Sequence, residues 1–346
     1  MNPQEQRMRA RSQARAMVLT VAVLSTACAI PGVRKAPRVP DLSGAGDPPS
    51  AGLLQQQLTD DARLDNVGLS LLRAAKSQCT ESPRRAGFRL ANNPTFTTPW
   101  QLAATTLGFT DTVQVVSVAK GSGADRAGVR AADRIVSIDG AAATPGGRIV
   151  QSMRARVAAA AARGAPSVGV VVRRDGKELA LTVPLDSSCA MTLMSWRDDA
   201  PNAWSDGRTI AVTTGMLAYV NADDDLAVVL AHEIAHAIMR QSAPRSGRDR
   251  LLDATVDVAT AAVAFATDDQ WLRMKRARPE EPFSDADEER ADDLTRQLLV
   301  QTGHAAPSHD FWRRLQLLDP SSAPYPRNHP LSMPRIIRMD DRSTPR

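Results

Sequence analysis

Aromatic side chains are scarce in this chain, with 5 Trp, 6 Phe and 2 Tyr among 346 residues. Proteins that grip single-stranded nucleic acid stack bases on aromatics along a basic groove, and no stretch here interleaves the two. An excess of one charge is also missing. Lys and Arg number 43 against 38 Asp and Glu, a formal +5, and four Arg against one Glu fall in residues 1–27, so the remainder carries only +2. The basic balance is thus no argument for a nucleic-acid partner. No apolar run reaches the roughly 20 residues of a membrane-spanning helix. A phosphate-binding loop is absent too, because Gly121-Ser122-Gly123 lacks the Lys-Ser/Thr such a loop requires. Cysteine (3) and histidine (5) are few enough that the position of each one is informative.

Two of the five histidines stand in His232-Glu233-Ile234-Ala235-His236. On a helix, residues four apart share a face, so both imidazoles can reach one metal ion with the Glu beside them. This is the minimal apparatus of a zinc-dependent hydrolase. Asp223-Asp224-Asp225 ahead of it suits the positive end of a helix dipole, and neither Gly nor Pro intervenes before Pro244. The pattern predicts a largely buried helix over about Asp223–Gln241.

Zinc needs a third protein ligand. Met239 and Ser242 stand where a metzincin extension would have Gly and His, so the ligand comes from elsewhere. The best candidate is Glu288, in the acidic opening of a helix predicted to run to about Gln301. Glu288 and Asp292 lie four apart, so Glu288 can bind the metal while Asp292 accepts a ring N–H from a ligand histidine. Taken alone, these acids also read as a solvated first turn. Their place downstream of the histidine helix favours the ligand reading.

Residues 191–338, with a weaker helical match at 55–80, resemble the HtpX and CAAX-endoprotease group of gluzincin metallopeptidases, including its periplasmic lipoprotein members. The resemblance rests on Asn202-Ala203-Trp204-Ser205-Asp206-Gly207, Ile210-Ala211-Val212-Thr213-Thr214-Gly215-Met216-Leu217, the His232–His236 segment, Glu288 with Ala291-Asp292, and His329-Pro330 followed by Arg335. It implies an α+β fold, mainly helical with a small edge sheet. It also implies one Zn2+ per chain on His232, His236 and Glu288, Glu233 as general base, and a transition-state role for His329. Gln241 departs from relatives that carry His or Asn there. The strand at Thr209–Val212 is expected at the edge of the cleft, where an extended substrate could add by backbone hydrogen bonds.

The middle of the chain reads as a separate module. Val113–Val118 forms a strand, and the run from Gly121 through Ala127-Gly128-Val129 to Ile135-Val136-Ser137-Ile138-Asp139-Gly140 resembles the signature of bacterial PDZ domains. A helix over 147–162 follows, then strands Ser167–Arg173 and Glu178–Pro184 joined at Asp175-Gly176, a hairpin turn pair. Leu107-Gly108-Phe109 resembles the loop whose N–H groups capture a peptide carboxylate. Such a β-barrel-like module would occupy 85–187, between residues 53–84 and 188–340 of the peptidase domain. Cys79 and Cys189 fall just outside its two ends. In an exported protein an isolated pair is expected to form a disulfide, here stapling the root of the insertion.

The leader carries Arg7, Arg9, Arg11 and Arg15, then a short apolar stretch, Ala16 to Ala27. Leu24-Ser25-Thr26-Ala27-Cys28 resembles a bacterial lipoprotein processing site, with Leu one position earlier than usual. It implies a signal peptide at 1–27, lipidation of Cys28, and a membrane anchor on a disordered tether at 28–52 rich in Pro and Gly. With Ala29 next, the expected place is the periplasmic face of a Gram-negative outer membrane. The expected partners are polypeptides, unfolded or misassembled envelope proteins among them, and no nucleic acid. Ala259–Ala266 is expected to be a helix packing beside the site helix. The competing reading is a non-catalytic, PDZ-based peptide-binding or chaperone-like lipoprotein with a latent or structural zinc.

Overall fold

The structure is a computed structural model, and it describes residues 49–220, 222–242, 283–304, 309–319 and 323–340. The leader, Cys28, most of the tether and the Ala259–Ala266 segment lie outside the described residues.

The first helix, α1 (Ala51–Ala74), is capped by Ser50, whose hydroxyl accepts from the Leu53 N–H. It starts at Ala51, so the last two residues of the expected tether are helical. The reason is tertiary. Leu54 and Leu58, four apart, bury their side chains in a cluster with Phe96, Ala103 and Phe109, while Leu64, Val67 and Leu71 enter the main core. One helix thus serves two hydrophobic cores.

Strands β1 (Arg84–Arg85) and β2 (Phe88–Ala91) lead to a short helix α2 (Thr98–Thr106) and to β3 (Gln114–Val118). Then come α3 (Gly123–Arg126), β4 (Arg134–Ile138), β5 (Ala141–Ala142), α4 (Ile149–Ala162), β6 (Ser167–Arg174), β7 (Lys177–Pro184) and β8 (Asp186–Ser187). The main sheet runs β2-β3-β4-β6-β7, with β5 beside β4. Its neighbours are antiparallel. Val168, Val170 and Val172 alternate into the core with Ile138, Val150 and Met153, the period-two burial of a strand covered on one face. Asp175 (φ 50°) and Gly176 (φ 76°) both adopt positive φ at the β6–β7 turn, as a tight hairpin requires. At the root, β1 pairs antiparallel with β8, and Cys79 is disulfide-bonded to Cys189 with Cα atoms 5.6 Å apart.

Leu107-Gly108-Phe109 corrects an expectation. These residues terminate α2. The Leu107 N–H donates to the Ala103 carbonyl, Gly108 to Thr105 and Phe109 to Ala104, with Gly108 at φ 84°. This is a left-handed helix C-terminus. All three N–H groups are spent on it, and the Phe109 ring packs edge-on to Phe96. The segment has no donors left for a carboxylate.

Beyond the module, β9 (Thr192–Trp196), β10 (Ala203–Ser205) and β11 (Thr209–Thr213) form a three-stranded sheet in the order β10-β11-β9. Here too the expectation is corrected. Thr209–Val212 is the central strand, antiparallel to β10 and parallel to β9, so it has no free edge. A local reading sees the β10–β11 hairpin but not the partner that arrives in parallel from before it. Thr213 caps α5 (Thr214–Tyr219), which leads into α6 (Asp223–Ser242). The helices α7 (Asp285–Thr302), α8 (His309–Gln316), α9 (Pro324–Asn328) and α10 (Met333–Asp340) complete the described chain. Helices segregated beside a small sheet make this half α+β. Among the described residues no helix is long and apolar enough to cross a membrane.

Candidate metal centre

Helix α6 is buried around its whole circumference from Leu226 to Ala237, in keeping with a run in which apolar residues occupy every face. The same stretch buries His232, Glu233 and His236, each at most 2 % exposed. Its acidic first turn is met by Arg63 of α1, which reaches Asp223 at 3.0 Å and donates to the carbonyls of Leu217, Val220 and Ala222. Helix α7 starts at Ser284, whose hydroxyl accepts from the Asp287 N–H, and ends at Gly303 in the left-handed region. Its buried face is Glu288, Ala291, Asp292, Thr295, Leu298 and Leu299, the three-and-four spacing of a stripe laid against a neighbour.

These two helices bring the ligand candidates together. The Nε2 atoms of His232 and His236 stand 3.1 Å apart. Glu288 places Oε2 3.1 Å from His232 Nε2 and Oε1 3.4 Å from His236 Nε2. A tetrahedral zinc with bonds near 2.0–2.1 Å has ligand atoms about 3.3 Å apart, and these spacings lie close to that, the two Glu288 distances being to different oxygens of its carboxylate. Each of His232, His236, Glu288 and His329 offers one ligand atom, and the four lie within 4.8 Å of one another. His232 Nδ1, Glu233 Oε1 and His329 Nε2 are buried without a hydrogen-bond partner. Such orphans mark a site built for something further.

His329, assigned from sequence to the transition state, is also drawn into this group. Its Nδ1 lies 3.1 Å from Glu288 Oε1, and its Nε2 faces Glu233 Oε1 at 3.3 Å, a contact too bent to count as a hydrogen bond. Asp292 Oδ1 is 3.4 Å from His232 Nδ1, while both its oxygens accept from Arg335 at 2.8 Å. Arg335 also reaches Glu288 Oε2 at 2.8 Å. Sequence reasoning gave Arg335 no role, and its spacing after His329 was the available signal. Two rings escaped it altogether. Phe283 stacks on His236 at 4.0 Å and Tyr325 on His329 at 4.5 Å.

The charges here are coupled. Burial raises the Glu233 carboxyl above its usual range, with the Glu288 carboxylate adding to the effect. Burial also pushes His236 down to about 3. For His232 burial acts in the same sense, but the Glu288 and Asp292 carboxylates outweigh it and raise the imidazole. Glu288 is held far below the carboxylate range: burial opposes this, and the hydrogen bonds of His232, His236 and His329 prevail. An ionised carboxylate beside a neutral His236 is the donor set a divalent cation takes.

Comparison with known proteins bears on the second half of the chain. Residues 172–343 match the sequence profile described as Peptidase family M48. No curated protein matches the chain. Among solved structures, an HtrA-type protease AlgW with decapeptide is similar at 28% identity over 31% of this chain and 30% of that one, with a TM-score of 0.23. The HtrA3 PDZ domain bound to a phage-derived ligand is similar at 18% identity over 31% of this chain and 88% of that one, again at 0.23. The chain thus spans less than a third of the HtrA-type protease.

Proposed function

Residues 172–343 belong to peptidase family M48, zinc-dependent hydrolases of peptide bonds, and on that premise we propose that the chain is an endopeptidase of exported proteins whose site is the α6–α7 cluster. His232, His236 and Glu288 would hold the metal. When bound, it supplies Lewis acidity that acidifies a water and polarises the scissile carbonyl. Glu233, one residue from a ligand and with Oε1 unpartnered, takes a proton from the attacking water and passes it to the leaving amine. His329 presents Nε2 on the same side as Glu233, where it can donate to the oxyanion as the carbonyl becomes tetrahedral. Asp292, held by Arg335, fixes the orientation of the His232 ring. With β11 interior, substrate strand pairing falls to β10, an outer strand of its sheet.

The reading extends to an envelope setting: a lipid-anchored protein at the outer membrane, a PDZ-type module at 85–187 that selects peptides, and misassembled envelope proteins as substrates. The leader and the module signature support these parts. The observation that carries the catalytic reading is the triangle of His232, His236 and Glu288 with Glu233 beside it. Its test is zinc content together with cleavage of unfolded casein. Glu233→Gln should keep its zinc and its melting temperature and lose cleavage by about 10²-fold or more. Wild-type cleavage by that variant would overturn the mechanism.

A further inference from the structure

Gln241, where the sequence departs from its relatives, sits in the last turn of α6 with both ends of its amide engaged. Its Nε2 donates to the Gly207 carbonyl at 2.6 Å, in the turn between β10 and β11. Its Oε1 accepts from the Thr80 N–H at 3.2 Å. An ammonium can only donate and a carboxylate can only accept, whereas an amide does both. One side chain thus bridges two parts of the fold that are remote in sequence.

Thr80 belongs to the root of the module. It follows Cys79, whose bond to Cys189 closes that root. Beyond the bond the two root segments stay clasped. Ala190 donates to the Glu81 carbonyl at 2.9 Å and Ser188 to the Pro83 carbonyl at 3.3 Å, and β1 then pairs with β8. The root is a double-stranded stalk, so a tilt of the module is carried down it to Thr80.

Gly207 belongs to the turn that ends β10, the outer strand left for substrate pairing. This turn is stiff. Asp206 Oδ1 accepts from the Arg208 and Thr209 N–H groups at 2.8 and 2.6 Å, and the Ser205 hydroxyl accepts from the Gly207 N–H at 2.9 Å. The turn also rests on α6: a Cβ on Gly207 (φ 92°) would lie 3.6 Å from Arg240 Cβ and 3.9 Å from Gln241 Cγ. A stiff turn moves as a unit, and displacing Gly207 displaces β10 with it.

We propose that Gln241 is a positioning residue that couples the stalk of the module to β10, so that the seating of the stalk sets the affinity for an extended substrate. His236 lies more than one helical turn before Gln241, which leaves the metal chemistry outside the coupling. The proposal deepens the peptidase reading and rests on it for the role of β10 as the substrate strand.

The test uses the full chain and two readouts, hydrogen exchange followed by mass spectrometry and the kinetics of casein cleavage. Exchange in residues 203–212 is referred to that of α7, which reports opening of the peptidase core as a whole. Cys79→Ser with Cys189→Ser frees the stalk and should speed exchange in 203–212 about fivefold, as for one lost hydrogen bond. Gln241→Ala should do the same, and combining it with the two Cys variants should add little, because the route is already cut. Gln241→Glu keeps the acceptor for Thr80 and loses the donor to Gly207. It should match Gln241→Ala in 203–212 and still protect the Thr80 N–H. KM for casein should rise by a similar factor in all three, with kcat unchanged. Unchanged exchange in 203–212 after loss of the disulfide would overturn the proposal. So would a disulfide effect of equal size in the Gln241→Ala background, which would run from Cys189 into β9 instead, or a fall in kcat at constant KM. No casein cleavage by the wild-type chain, with the exchange effects present, would leave the coupling standing and overturn the peptidase reading.

Discussion

Arg335 and Asp292 form a two-point pair, Nε to Oδ2 and Nη2 to Oδ1, both 2.8 Å and both buried between α10 and α7. The pair makes Asp292 an oriented wall behind His232, 3.4 Å from its Nδ1, and Arg335 simultaneously braces Glu288. Lys cannot reproduce the planar fork. Arg335→Lys should therefore weaken zinc binding about 10- to 100-fold, the range for lost partners of a ligand, in competition with a chelator. An unchanged dissociation constant would remove Arg335 from the site.

The disulfide closes a loop of sequence separation 110 around the module. Replacing Cys79 and Cys189 with Ser should cost about 2–4 kcal/mol. Thermal melts under oxidising conditions would show it. Equal melting temperatures for the variant and the parent would mean that the β1–β8 pairing alone holds the root.

Asp133 gives the module a pH dependence. Both its oxygens accept from Arg174 at 2.6 Å, and the Arg130 N–H donates to it at 2.9 Å. Burial opposes ionisation, but these bonds hold the carboxyl below its ordinary 3.8. A depressed folded-state value means the stabilisation is complete above about pH 4 and is lost as pH falls through the lower folded value. Denaturant midpoints measured downward from pH 5 should fall for the parent. The fall should be smaller in Asp133→Ala, which starts about 2–3 kcal/mol lower at neutral pH. Parallel curves would contradict this.

Arg89 ties the module to the peptidase half. It pairs with Asp61 and Asp65 of α1, and Asp61 in turn accepts from the Ser195 N–H and hydroxyl on β9 at 2.7 and 2.8 Å. Arg89→Ala strands two half-buried or buried carboxylates, at a cost of about 3–5 kcal/mol. Arg89→Ala with Asp65→Ala should recover part of that loss in a double-mutant cycle. Simple additivity would show that the two residues do not interact.

Much of the site was legible before any fold was known. His232, Glu233 and His236 needed only the helical repeat, which places residues four apart on one face. Asp175-Gly176 needed only turn stereochemistry, and the alternating valines of β6 only the pleat. These are local determinants, acting within one or two turns of chain. Tertiary structure decided the rest. Whether Thr209–Val212 is an edge depends on β9 arriving in parallel, and whether the Leu107–Phe109 N–H groups are free depends on α2 ending there. Arg335 meets Asp292 across 43 residues, and Arg89 meets Leu193 across 104. Side chains so distant in sequence leave no periodic trace, because their meeting is fixed by how helices and sheets pack and not by the geometry of any one of them.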